Sequence, residues 1–265
     1  MDIAGKVFIV TGAGNGIARE VTLQLLAGGA RVAGVDLSAE GLAETGRLAG
    51  AGERYSSHAV DITDRDAVAA LPEAVIAAHG QIDGLVNIAG VIQKFVKIAD
   101  LDFSDMEKVM NVNFWGVINT VKAFLPHLTA RPEASLVNVS SMGAYAPVPG
   151  QAVYGASKAA VTLLTEALYA ELMGTGVAVS TVFPGAIGTN IAANSGVSVG
   201  DATAEKSSFK TTPPGKAAEV IVETIVKGRF RATIGSDAAT MDRLSRLNKK
   251  MATELIAKQM GGLLG

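Results

Sequence analysis

The chain contains no cysteine, one tryptophan and only three histidines in 265 residues. The missing thiols remove disulfides, thiolate nucleophiles and thiolate metal ligands together, and they suit a reducing compartment, so a cytoplasmic location is expected. His58, His79 and His127 lie far apart and none has a metal-ligand spacing, so no metal site is expected. No dense Lys/Arg run occurs and the formal net charge is -2, which leaves a nucleic-acid partner without electrostatic support. Long apolar runs are absent too. Charge or glycine interrupts each one before the roughly 18 residues of a membrane-spanning helix, as Glu166 and Glu171 do within VTLLTEALYAELMG. The first residues, MDIAGK, lead straight into VFIV with no basic region or small-residue cleavage site, so no export signal is expected.

What is present is core. Hydrophobic residues make up 49% and charged residues 18%, enough to bury a large interior. Short β-branched runs alternate with alanine- and leucine-rich segments. The strand candidates are 6–11, 31–36, 83–89, 135–141, 177–184 and 230–235, with 55–61 as a weaker seventh. Most are apolar on both faces, as a parallel sheet covered by helices requires. Helical segments are predicted at 17–28, 65–79, 104–128, 152–173 and 215–228. The series β-α repeats without a linker, which predicts one α/β domain over 1–265: a Rossmann-like, doubly wound parallel sheet of about seven strands, helices on both faces. Ligands then bind in the crevice at the carboxyl ends of the strands. Segment 186–214 lacks a strong period and follows a strand's carboxyl end, so it is either a flap over a ligand or a solvated surface excursion.

After the first strand comes TGAGNGIA, Thr11 to Ala18, leading directly into a helix. Glycines there permit a tight turn and a close backbone approach, so a pyrophosphate can sit on the free N–H groups of the helix. About twenty residues on, strand two ends in Asp36. A carboxylate at that point accepts hydrogen bonds from an adenosine ribose and repels a 2′-phosphate, which favours NAD over NADP. Neither Asn15 nor Leu37 offers the cation a 2′-phosphate wants. Asp36 competes with Ser38 for a second role, the N-cap of the next helix.

Tyr154 and Lys158 stand four positions apart in VYGASKAAV, on one face of a predicted helix. Such a pair taken alone is more often incidental than catalytic. Bringing a phenol from about 10 to about 7 takes roughly 4 kcal/mol, which a unit charge about 4 Å away supplies at an effective dielectric of about 20. A lysine and a positively charged nicotinamide are therefore sufficient in magnitude for tyrosine to trade a proton with an alcohol while hydride passes to a cofactor.

Taken in order, these elements resemble the short-chain dehydrogenase/reductase family over nearly the whole chain up to about residue 235. The nucleotide loop T-G-x-x-x-G-x-G is matched by Thr11, Gly12 and Gly16, with Ala18 in place of the last glycine. Asp61 resembles the adenine-contacting aspartate, and NIAG, Asn87 to Gly90, resembles the element behind the adenosine ribose, with Ile88 for its usual asparagine. Asn113 in NVNFWG, Ser141 in NVSSMG thirteen residues before Tyr154, and FPGAIGT with Ile187 and Thr189 complete the match. The resemblance implies that Ser141 bonds the substrate oxygen and Tyr154 transfers the proton. It implies that Lys158 lowers the phenol's pKa and holds the nicotinamide ribose, and that Asn113 links the lysine to solvent through water. It further implies an NAD site formed by Gly12, Asn15, Gly16, Ile17, Asp36, Leu37, Asp61, Ile62, Asn87, Ala89, Gly90, Pro184, Gly185, Ile187 and Thr189 together with Tyr154 and Lys158. The implied activity is hydride transfer between NAD and a secondary alcohol or ketone. Two other classes remain open: a scaffold or sensor that binds NAD without turnover, and an isomerase, epimerase or lyase that regenerates its cofactor.

Pocket walls are expected from 91–95, 142–150 and the flap, with Ile92, Met142, Tyr145, Val148 and Phe209 making them mostly apolar. Lys94 and Lys97 are candidates for an anionic group, against the ordinary reading of solvated lysines. The segment 237–260 spaces Met241, Leu244, Leu247, Met251, Leu255 and Met260 as one amphipathic helix. It packs on its own body, crosses to a sister subunit or lies on a membrane surface, in that order of preference. The family resemblance implies a homodimer or homotetramer built on 104–128 and 152–173.

Overall fold

The computed structural model describes residues 1–189, 191–197 and 211–261. Seven parallel strands form one sheet in the order β3-β2-β1-β4-β5-β6-β7. They are β1 (Val7–Thr11), β2 (Arg31–Asp36), β3 (Tyr55–Ala59), β4 (Gly84–Asn87), β5 (Ala134–Val139), β6 (Val177–Pro184) and β7 (Arg231–Ile234). Every residue of β1, β4 and β5 is buried, whereas the edge strand β3 has none buried, which explains its weaker apolar signal. Alternate β1 residues feed two separate cores. Val7 and Ile9 join Leu85, Phe124, Leu136 and Leu168 on one face, and Phe8 and Val10 join Leu25, Val86, Val182 and Ile221 on the other.

The helices that supply those faces are α1 (Gly16–Ala27), α2 (Ala39–Ala49), α3 (Arg65–His79), α4 (Phe103–Met110), α5 (Gly116–Thr129), α6 (Ala152–Glu171), the single turn α7 (Ile191–Asn194) and α8 (Pro214–Lys227). The chain closes with α9 (Ser236–Leu247) and α10 (Lys249–Met260). Strand order reverses about β1, since β2 lies on one side of it and β4 on the other. That reversal opens the crevice in which such sheets bind ligands.

Three expectations change. The helix predicted over 104–128 is interrupted by a π turn, Asn111–Trp115, between α4 and α5. One extra residue in the turn rotates Asn113 inward, and its amide is fully buried. The single helix at 237–260 is two, broken at Asn248, which is extended and accepts a hydrogen bond from Met251 N at 3.0 Å to start α10. These helices pack on the chain's own body. Met241, Ala252 and Ile256 form a small core with Ala146, against which Met142, Tyr145 and Val148 are packed. The expected pocket wall 142–150 is thus engaged by the C-terminal helices, and Tyr145 also donates its hydroxyl to Ala238 O at 2.9 Å. Phe209 lies outside the described residues, as do 190 and 198–210 of the expected flap.

At the opposite, amino end of the sheet, Asp83 is fully buried. Its carboxylate accepts from Val7 N (2.9 Å), Gln81 Nε2 (2.6 Å) and Arg131 Nε (2.8 Å), tying β1 and β4 to the start of β5. Asp83→Ala strands a buried N–H and a half-buried guanidinium, and we expect a loss of about 3 kcal/mol in denaturant unfolding.

Candidate active site

The crevice beside β1 encloses about 530 Å³ and is lined by Gly12, Asn15, Gly16, Ile17, Asp36, Leu37, Asp61, Ile62, Ala89, Gly90 and Thr189 among others. Gly12 has φ 79, and a Cβ added there would lie 3.1 Å from the backbone of Ala89. Only glycine combines that left-handed turn with so close an approach to the next strand's loop. Asn15 stands at the N-cap of α1, yet its side chain makes no bond to the first turn, which carries no acidic residue. The amide donors of that turn suit an anionic diphosphate, both by hydrogen bonding and by the helix dipole.

Asp36 closes the other end. Its Oδ2 accepts from Gly14 N and its Oδ1 from Ser38 N, each at 2.9 Å, while Ser38 Oγ caps α2 through Gly41 N at 3.0 Å. The N-cap role therefore falls to Ser38, and Asp36 braces the glycine loop from the crevice wall. A carboxylate so placed keeps lone pairs for a ribose diol.

Four other expected cofactor residues do not line the crevice. Asn87 lies at the end of β4, where its amide donates to Asn138 Oδ1 (2.9 Å) and accepts from Thr120 Oγ1 (2.9 Å), a cross-link between β4, β5 and α5. Pro184 ends β6, and Gly185 N donates to Ile234 O at 2.9 Å. Ile187 packs against the second core and bridges Thr212.

Ser141 follows β5, and Tyr154 and Lys158 stand on the first turns of α6, so the sheet's carboxyl edge carries all three. A Cβ added to Gly143 would lie 3.4 Å from Ser141 Oγ and 3.5 Å from Tyr154 Cε1, so the two side chains flank the same glycine. Burial pushes the Tyr154 phenol up from its ordinary value, and its hydrogen bond with Ser141 works in the opposite direction. Burial pushes the Lys158 ammonium down to about 8. Its Nζ donates to Val139 O at 3.1 Å. It also faces Gly90, where an added Cβ would meet Lys158 Nζ and Asn113 Oδ1 at 3.2 Å each. The lysine head group is thus turned to the crevice floor. Asn113 accepts from Val91 N (2.8 Å) and donates to Val91 O (2.9 Å) and Ser157 Oγ (3.1 Å). These bonds fix the loop after β4 and the lysine's own helix.

Tyr154 and Lys158 are therefore not part of the crevice lining: Lys158 is buried behind Gly90, and Tyr154 is half-buried beside Gly143. Lys108 and Asn111, which sequence reasoning passed over, line the crevice from α4 and the π turn. Gln93, read only as part of a pocket wall, is 2% exposed and bonded to the start of α6. Its polar character inside VIQKF was the only available signal. Among the described residues no cluster of metal-ligating side chains occurs, and no helix is long and apolar enough to cross a membrane.

The family model described as short chain dehydrogenase matches residues 6–198. SadH of Mycobacterium tuberculosis, named as an oxidoreductase, is 38% identical over 261 residues, covering 96% of this chain and 94% of SadH. A short chain dehydrogenase/reductase from Burkholderia phymatum, solved with NAD, superposes with a TM-score of 0.86 at 26% identity, covering 96% of this chain and 97% of that one. A short chain dehydrogenase from Burkholderia cenocepacia, solved with NADP, gives 0.82 at 26% identity over 97% and 99%. With its sheet order, its glycine turn and these relatives in agreement, the chain belongs to the short-chain dehydrogenase family of oxidoreductases.

Proposed function

We propose that this chain is an NAD-dependent dehydrogenase or reductase that exchanges a hydride with a neutral secondary alcohol or ketone, Tyr154 serving as general acid and base. The observation that carries the reading is the placement of Ser141 and Tyr154 against the same glycine, Gly143, at the sheet's carboxyl edge, with the buried cation of Lys158 beside the crevice floor. When bound, the dinucleotide supplies the carbon that accepts or donates hydride. Gly16 and Ile17 present backbone donors to its diphosphate, Asp36 accepts from the adenosine ribose, and Asp61 and Ile62 border the adenine. Lys158 holds the nicotinamide ribose and keeps positive charge near the phenol. Ser141 Oγ donates to the substrate oxygen, and Tyr154 Oη takes the alcohol proton in oxidation or returns it in reduction.

Asp36 supports NAD over NADP, because its carboxylate would repel a 2′-phosphate and Leu37, 74% exposed, brings no cation. The homodimer or homotetramer belongs to the same reading. Leu163, Tyr169 and Met173 are exposed apolar residues along α6 and its end, 69%, 43% and 70% accessible. An intact Ser-Tyr-Lys set argues against a scaffold that binds without turnover.

The test is incubation with NAD or NADP and a panel of secondary alcohols, following reduced-nicotinamide absorbance. We expect turnover with NAD and a kcat/KM at least about tenfold lower with NADP. Saturable NAD binding with no reduction across the panel would mean the scaffold reading instead.

A further inference from the structure

We infer that Gln93 is a positioning residue that sets the place of Tyr154 by capping α6 from a loop about 60 residues away; the inference rests on Tyr154 being the proton-transfer group.

Gln151 occupies the N-cap of α6 but makes no side-chain bond to the helix. The orphan donors of the first turn are satisfied instead by Gln93, whose Oε1 accepts from Val153 N and Tyr154 N at 3.0 Å each. Its Nε2 donates to Gly150 O at 3.0 Å, and its own carbonyl accepts Gln151 Nε2 at 2.7 Å. Both glutamines are buried, at 2% and 4% exposure, so these bonds are shielded from water. The amide accepts from α6 at one end and donates to Gly150 O at the other; a carboxylate keeps the acceptor that holds α6, and an aliphatic chain keeps neither.

The loop that carries Gln93 is held at every step. Gly90 borders Lys158 and Asn113, Val91 is clamped by the Asn113 amide, and Ile92 N donates to Ser195 Oγ beyond α7 at 3.0 Å. Four successive residues thus join the crevice floor, the π turn, α7 and the backbone of Tyr154. A shift of this loop moves the tyrosine by a direct bond to its own N–H.

The test uses Gln93→Leu and Gln93→Glu, the latter keeping the acceptor for both amides. In tyrosine-labelled NMR, with Tyr154 assigned by its absence from Tyr154→Phe, we expect Gln93→Leu to shift and broaden Tyr154 while Tyr55 and Tyr169 stay in place. Gln93→Glu brings the signal back. In turnover we expect kcat to fall about 10- to 100-fold in Gln93→Leu, with KM and NAD affinity within about twofold, and to recover within a few-fold in Gln93→Glu. An unmoved Tyr154 signal with unchanged kcat overturns the inference. So does displacement of all tyrosine signals together with loss of NAD binding, the mark of a merely structural residue. If Gln93→Leu fails to fold, Gln93→Asn, one methylene shorter, is read by the same two outcomes. Absence of turnover in the unmodified protein would sink the proposed activity, and the NMR comparison would still decide the role of Gln93.

Discussion

Tyr154→Phe is expected to lower kcat for alcohol oxidation by about a thousandfold, the range in which a positioned general base contributes, while NAD affinity stays within about twofold. The substitution keeps the ring and removes one oxygen. Ser141 retains its acceptance from Gly143 N at 3.0 Å, so the turn after β5 keeps its shape. Removal of one hydroxyl costs at most about 1 kcal/mol of stability, too little to explain such a fall in rate. Rapid-mixing absorbance with NAD and isothermal titration of NAD separate the two quantities. A loss of rate accompanied by an equal loss of NAD affinity would point to misfolding of the crevice and not to chemistry.

Lys158→Met is expected to remove activity and to make the protein more stable at neutral pH. Burial lowers the ammonium from its ordinary 10.5 to about 8. The unfolded lysine keeps its proton up to about 10.5 and the folded one releases it near 8, so between those values the unfolded state binds more protons. Stability of the unmodified protein therefore rises with pH across that window, and the cost of the buried charge is fully present below it. The difference corresponds to roughly 3 kcal/mol. The lost bond to Val139 O, 3.1 Å in the structure, offsets roughly 1 kcal/mol of this. A net gain of about 2 kcal/mol at pH 7 follows, seen as a higher melting temperature, and it shrinks as pH rises through the same window. A variant less stable than its parent at pH 7 would show that Lys158 is a structural cation and not one held against its own hydration for function.

The sequence carried most of this because both signals are local. A both-face apolar strand such as β5 and a glycine turn such as Gly12 to Gly16 are specified within a few residues, and their spacing alone orders the sheet and its crevice. Tyr154 and Lys158 were legible for the same reason, as neighbours on one helix. What stayed hidden depends on distant partners. The capping of α6 by Gln93, the inward turn of Asn113 and the cover that α9 and α10 place over Met142 and Tyr145 arise from packing between segments far apart in the chain. The break at Asn248 shows a further limit. Heptad-like spacing continued across it, and only an extended backbone at that residue distinguishes two helices from one. Asp36 was readable by position but not by its bonds, since its hold on Gly14 depends on the loop's fold.

The claim at the centre is that the charge of Lys158 poises a phenol that burial alone drives the wrong way. The most direct measurement is the pH profile of single-turnover NAD reduction in the unmodified enzyme and in Lys158→Met. The account predicts a rate that rises with pH, with a midpoint well below the ordinary phenol value of about 10 in the former and about one unit or more higher in the latter. Identical midpoints in the two proteins would contradict it.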